Sequence, residues 1–377
     1  MFRAIARKLL QLIPVLLIVS FGTFLLLELV PGDPAVAVLG ADARPEEYDR
    51  VNKQLGLNDP LPTRYFEWLG DVVTGDLGNS VVRPSTSVTS LIGARLPVTM
   101  EIAALALGFS LLIAIPLGMI TAYRAATRFD RVAAVGTSAL ISIPPFVSAI
   151  LLIFLFVFNP QIPRWAFLIT LVAGALWVLW VTIRMARHGG LDRAEWLWQL
   201  GAVVVLAVVG LFVFAKWPAL PRQGFDRLTS KEGIGANLRT AFLPALTLAL
   251  TEVAVFSRLL RSDMVTTLQE DYILSARAKG MPVRRVLIRD ALRPSSFSLI
   301  TLAGVSLGRL LGGTVIVETI FNLPGMGRLI VQDGVITKDF TIVQGSVLVI
   351  AALYVLLNAA VDISYTYLDP RVRRGHR

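Results

Sequence analysis

The sequence predicts an all-α polytopic membrane protein with about eight spans. Three observations predict it. Hydrophobic residues make up 55% of the 377 positions, and the mean hydropathy is +0.68, more apolar than a soluble domain of this length. Several stretches are long and apolar enough to cross a bilayer, which takes roughly 20 residues per helix. The charged residues are gathered into the segments between those stretches, with a sign bias from one side to the other.

The chain opens Met-Phe-Arg-Ala-Ile-Ala-Arg-Lys and runs into an uncharged stretch at 9–27. That stretch exceeds the apolar core of a signal peptide, roughly 7–15 residues, and no small-x-small cleavage site closes it. It reads as a retained span. Residues 31–97 are polar and rich in Pro and Gly, with no spanning segment. Spans follow at 98–123 and at 132–158, the latter without a charge in its 27 residues. Two more uncharged stretches, 165–183 and 197–215, form a hairpin with His188-Gly189-Gly190 at its turn. The last three spans are 241–260, 295–317 and 341–361. The domain organisation is therefore an N-terminal span at 1–30, an extracytoplasmic segment at 31–97, two core spans at 98–158, an inserted two-span hairpin at 159–217, and three core spans at 218–377 that carry a basic loop at 261–294.

With the N-terminus inside and strict alternation, the inside segments hold 21 Lys+Arg against 8 Asp+Glu, and the outside segments 14 of each. The positive-inside rule then puts both termini in the cytoplasm. Charge at membrane depth is costly and faces a cavity or a partner. Arg309 and Glu252 sit deepest, in adjacent spans, and are the candidate polar residues of a pathway. A structural ion pair is the plainer reading of the same two. The hairpin carries no charge at depth and is expected on the outside of the bundle, with Trp177 and Trp180 away from any central cavity.

The basic loop holds the most informative segment, 270–294. Residues 270–279 are good helix formers. Gly280 fits a helix stop with Pro282 just beyond it, 283–292 reads as a second short helix, and Pro294 can open the next span. A helix–turn–helix on the inner face suits docking into a groove on a partner; the alternative is a loop that sets topology or meets anionic lipid.

The segment resembles the EAA loop of ABC importer permeases in its peptide-family form, where Ala276-Arg277-Ala278-Lys279-Gly280 is the typical run. Leu274 and Ser275 depart from the Glu-Ala of the general pattern, and the closing proline comes one residue late. Further motifs support the resemblance: Val30-Pro31-Gly32-Asp33-Pro34; Leu55-Gly56-Leu57 through Ser80; Gly312-Gly313 through Arg328-Leu329; and Asn358, Asp362 and Leu368-Asp369-Pro370-Arg371. Together they are similar to the first permease of dipeptide, oligopeptide and nickel importers, except over 160–215, because that family is expected to have six spans.

The resemblance implies a type I ABC importer-like helical bundle, six core spans plus the hairpin. It implies an ATPase-coupling loop at Asp271, Ser275, Ala276, Arg277, Ala278, Lys279 and Gly280. It implies an outer gate or binding-protein contact at Glu318, Phe321, Pro324, Gly325, Met326 and Gly327. The partners implied are a second homologous permease, two ABC ATPase subunits, an extracytoplasmic binding protein and membrane lipid, with no nucleic acid. No phosphate-binding Gly-x-x-x-x-Gly-Lys-[Ser/Thr] loop occurs, so ATP and Mg are expected on the ATPases and no cofactor or metal on this chain.

Other functions fit less well. A secondary transporter or channel would need a coupling-ion site or inverted repeats, and neither is evident. A metal centre, disulfide framework or membrane-embedded serine protease finds no support in a chain with no Cys and two His, His188 and His376.

Overall fold

The computed structural model describes residues 2–28, 44, 46, 48, 59–187, 207–208, 210–228 and 232–368. The motif at 30–34, the start of the motif at 55–80, the hairpin turn at 188–190, much of the predicted span at 197–215 and the terminal run from Asp369 lie outside them.

The described elements are helices. In order they are α1 Phe2–Glu28, α2 Leu61–Thr74, α3 Val88–Tyr123, α4 Arg128–Ser142, α5 Pro145–Ile153 with a wide π turn over Phe154–Phe158, α6 Gln161–Arg187 and α7 Gly233–Thr267. Then come α8 Asp271–Ala278, α9 Val283–Gly313, α10 Val315–Phe321, α11 Met326–Arg328 running into a π turn over Leu329–Val335, and α12 Phe340–Leu368. Among the described residues, four helices are long and apolar enough to cross a membrane, α3, α7, α9 and α12 over 340–361, and α4 with α5 and its π turn makes a fifth if that bent pair is one span. The apolar described parts of α1 and α6 are shorter, Leu12–Leu25 and Gln161–Leu176.

Three sequence expectations need correction. The single span expected over 132–158 is broken, with a bend of 103° between Ser142 and Pro145. Pro144 and Pro145 supply no N–H, and a residue preceding proline is pushed out of the α region; Ile143 accordingly has ψ 120. The second short helix expected at 283–292 is instead the first part of α9, which runs unbroken from Val283 to Gly313 with a π turn over Val286–Ala291. Pro294 explains the wide turn: it has no N–H to give the Asp290 carbonyl. That carbonyl takes the Tyr272 hydroxyl instead, at 3.3 Å. Finally, the span expected to run on to Val317 ends at Gly313, and α10 starts after Thr314.

The chain divides into two compact units, 1–146 with 244–377, and 147–243. In the first, α12 packs on α1 and α9, and α3 on α9 and α4. Small residues set the spacing, as in membrane bundles where backbones must approach closely. A Cβ on Gly118 of α3 would lie 3.1 Å from Leu260 of α7, and one on Gly304 of α9 would fall on the Val361 side chain. Gly304→Leu should therefore force α9 and α12 apart, at about 1–3 kcal/mol. Gly312→Leu, where a Cβ meets nothing within 4 Å, should be tolerated. Thermal denaturation in detergent with a size-exclusion readout checks both.

Two apolar cores fill this unit. One joins Ala114 and Ala122 of α3, Phe256, Leu260 and Met264 of α7, Ile273 of α8 and Val286 and Leu299 of α9. The other joins Leu77, Val88, Ile92, Met326, Leu329 and Ile342.

The second unit holds the π turn after α5, α6, residues 207–228 and the start of α7. Arg164 stands over the Phe214 ring at 4.3 Å, and Trp165 meets the same ring edge-on. Trp180 is 53% exposed, and the Trp177 side chain lies outside the described residues.

Candidate functional site

The segment expected to couple is built by a short helix, a tight stop and a second helix that becomes a span. Glu270, with extended backbone, precedes α8. At the other end the Gly280 N–H donates to the Arg277 carbonyl at 2.9 Å and the Met281 N–H to the Ala276 carbonyl at 3.2 Å. This double closure needs a left-handed residue at Gly280, where φ is +77. Pro282 then caps α9.

One side of the turn is held by the interior. Ile273 and Val286 are buried among Phe256, Leu260, Met264 and Leu268, with Ala276, Met281 and Leu287 packed around them. Thr267 and Ser295 exchange a hydroxyl hydrogen bond at 3.0 Å beneath the turn. Burial pushes the Tyr272 hydroxyl above its ordinary value, and the carboxylates of Glu270 and Asp290 add to this. It stays protonated at neutral pH and donates to the Asp290 backbone carbonyl. The other side is open: Asp271, Ser275, Arg277, Ala278, Lys279 and Gly280 are exposed. Leu274 beside them is 51% exposed, an apolar side chain on a basic ledge. The seven predicted coupling residues thus form one continuous element, with Ala276 turned partly inward.

A lock near this element escaped the sequence reading. Asp130 at the start of α4 receives both arms of Arg261 from α7, Nε at 2.6 Å and Nη2 at 2.7 Å. Its Oδ2 also accepts the Ala126 N–H at 2.9 Å, in a turn where Ala126 has φ +65. The side chain of Asp130 is 7% exposed and that of Arg261 37%. Thr127-x-x-Asp130 is a capping signal that could have located this helix start. Nothing local marks Arg261 among the other arginines of its segment.

The predicted gate residues form the turn after α9. Asn322, with φ +56, ends α10. Glu318, Phe321, Gly325, Met326 and Gly327 are buried, and Pro324 is half-buried. Glu318 is fully enclosed. Its Oε1 accepts the Thr99 hydroxyl of α3 at 2.7 Å and its Oε2 the Arg328 N–H at 3.1 Å. Thr99 in turn accepts the Met326 N–H at 2.8 Å. A Cβ on Gly325 would fall on the Glu318 carboxylate, and one on Gly327 on Val315. The five buried residues thus hold the turn together from inside and present little surface of their own. Beyond them, the Asp339 carboxylate takes the Ser80 hydroxyl and the N–H groups of Val81, Val82 and Ile342, and Arg83 pairs with Asp333 at 2.8 Å.

Glu252 and Arg309, predicted as neighbours, meet. Arg309 Nη2 donates to Glu252 Oε1 at 2.7 Å and to the Ser306 hydroxyl at 3.2 Å. Arg309 is 58% exposed and Glu252 5%. The second oxygen of Glu252 is buried with no hydrogen-bond partner among the described residues.

Comparison with known proteins matches two family models. Residues 196–374 match the binding-protein-dependent transport system inner membrane component, and residues 1–103 match its N-terminal companion. A probable peptide ABC transporter permease of Sinorhizobium fredii is 30% identical over 369 residues, 98% of each chain. A putative peptide transport system permease of Brucella abortus is 34% identical over 372 residues, again 98% of each. A dipeptide transport system permease of Alkalihalophilus pseudofirmus is 30% identical over 367 residues, 97% of this chain and 98% of its own. These relatives match essentially end to end, so the 160–215 segment, set apart above, lies within the stretch they share.

Proposed function

Because the chain belongs to the family of binding-protein-dependent transport inner membrane components, the permeases of ABC importers, we propose that it forms half of the pathway by which peptides cross the bacterial cytoplasmic membrane. The names of the end-to-end relatives support peptides as the cargo. The other half is a second, homologous permease, in a heterodimer. Two ABC ATPases carry the ATP and Mg, and an extracytoplasmic binding protein delivers the peptide. Both termini lie in the cytoplasm, as the charge asymmetry between loops supports.

The observation that carries the mechanism is the two-sided build of α8. Its inner side shares a core with α3, α7 and α9, so a push on its outer side moves the spans with it. The exposed residues Asp271, Ser275, Arg277, Lys279 and Gly280, with Leu274 among them, make the surface an ATPase would grip. Closure of the ATPase pair on ATP then tilts the spans, provided the grip differs in free energy between the two states. At the other end the Glu318 turn moves as one block and closes the outer gate. Arg309, anchored to Glu252 and largely exposed, faces the pathway, where its remaining donors meet a passing peptide carboxylate.

Purification of the chain with its ATPases and second permease tests this. Leu274→Asp places a charge on the open side without touching the core. It should lower substrate-stimulated ATP hydrolysis by about tenfold or more, a loss of ~1.4 kcal/mol of coupling. Gly280→Pro, which imposes φ near −65° where +77 is needed, should dissociate the complex. If both variants assemble and hydrolyse ATP like the wild type, the segment is only a topology signal, and the secondary-transporter or channel reading replaces this one.

A further inference from the structure

The second unit contains a groove that transport as described above does not use. It runs between the π turn after α5, α6, residues 213–220 and the first turns of α7, with a volume of about 460 Å³, within the range of ligand pockets. Phe156, Phe167, Trp217, Leu220, Leu238 and Phe242 line it. Trp217 stacks near Phe156 at 6.4 Å and leans on Phe167 at 5.9 Å. Arg239 stands at the end of the groove, where its Nε donates to the Ala219 carbonyl and fixes the guanidinium.

Two features point to what fills it. The first is an orphaned donor in an apolar setting: Trp217 Nε1, on a residue of the groove wall, is buried with no hydrogen-bond partner among the described residues. A buried N–H without an acceptor costs about 1–3 kcal/mol, so an occupant that brings oxygen is favoured over a purely apolar one. The second is charge. Arg239 forms no ion pair among the described residues. Lys216 and Arg222, outside the lining but close to Trp217 and Leu220 in sequence, stand over the Phe212 and Phe158 rings at 5.1 and 5.8 Å. Opposing them, Asp226 and Glu232 line the adjoining cavity of about 450 Å³ on the far side of Arg239.

We propose that this groove holds one phospholipid with an anionic glycerophosphate headgroup, phosphatidylglycerol, taken from the surrounding bilayer. An acyl chain lies along Phe156, Phe167 and Leu238. The ester or phosphate oxygens accept from Trp217 Nε1 and from the terminal guanidinium nitrogens of Arg239. Aromatic residues with basic neighbours are the usual furniture of a membrane–water boundary. A helix of a second permease fits the groove less well, because tight helix association in a bilayer favours small residues and close backbones, and this wall is built of large rings around a gap. The inference rests on the bilayer placement of this segment and not on the transported solute, so it stands or falls separately from the peptide reading.

The test is native mass spectrometry of the full chain, extracted in detergent from vesicles containing equal phosphatidylglycerol and phosphatidylcholine, read as bound lipid per protein. The wild type should keep one phosphatidylglycerol in preference to phosphatidylcholine. Leu238→Trp, which fills the groove and leaves Arg239 untouched, should abolish retention. Arg239→Gln should lower it roughly fivefold, and Trp217→Phe, which keeps the ring and removes the N–H, should lower it less. Equal retention of both lipids, no retained lipid in the wild type, or retention unchanged by Leu238→Trp would each overturn the proposal. ATPase coupling is read on the same variants: lipid loss with coupling intact leaves the transport reading standing.

Discussion

Replacing Glu318 by Ala is expected to cost about 3–5 kcal/mol and to leave little folded permease. Three effects add. The Arg328 N–H loses its acceptor, and the Thr99 hydroxyl, which also receives the Met326 N–H, loses the oxygen it donates to. Each buried group left unmade costs about 1–3 kcal/mol. The third effect is the cavity left at a position with no exposure, next to Phe321 and Met326, which are themselves buried. The measurement is the thermal midpoint in detergent together with the yield of monodisperse protein. Glu318→Gln is the informative comparison. It keeps the volume but turns one acceptor into an NH₂ donor that must face either Thr99 or the Arg328 N–H, so its loss should be smaller. Gly325→Ala should resemble Glu318→Ala, because its Cβ lands on the carboxylate while deleting nothing. If Gly325→Ala were neutral, the turn would be looser than these contacts require, and a rigid gate block could not be built on it.

The parts of this fold that were legible in the sequence are those that local chemistry decides. Gly280 announces its turn because a left-handed closure has few substitutes for glycine, and Pro282 confirms it two residues on. The pairing of Glu252 with Arg309 was legible because bare charges at membrane depth have almost no one else to meet. The Pro144-Pro145 pair stands in the chain without being read as a break. An uncharged run of 27 residues nonetheless reads as one span, because charge and hydropathy say nothing about backbone direction. The π turn at Val286–Ala291 hides for a different reason. A pattern of 3.6 residues per turn has no signature for one extra residue, and only the missing N–H of Pro294 hints at it. Long-range partners were out of reach altogether: Thr99 and Glu318 are 219 residues apart, and neither is unusual in its own segment. The sequence offered the Glu318 turn as an outer gate or a binding-protein contact; what it could not show is that the turn is held from within.

The Asp130–Arg261 pair was illegible for the same reason, and it makes the sharpest claim about coupling. Arg261→Met should destabilise the chain by about 3 kcal/mol. That is the lower end of the cost of stranding a buried charge, because the Arg261 side chain keeps 37% of its exposure while Asp130 keeps 7%. The geometry is two-pronged, and Lys cannot reproduce it, so Arg261→Lys should recover only part of the loss. Asp130→Asn with Arg261→Met removes both charges. It should be less harmful than Arg261→Met alone, since no carboxylate is then left unpaired. A double-mutant cycle on thermal stability reads this directly as a coupling energy. The same variants bear on mechanism. Arg261 lies on α7 three residues before Met264, which shares its core with Ile273 of α8, and Asp130 ties that stretch to the start of α4. If α8, α7 and α4 move as one lever when the ATPases close, the charge-free double variant should fold yet hydrolyse ATP with weakened dependence on substrate. If coupling is fully retained, α4 is a bystander, and the push from α8 travels through the α7 and α9 core alone.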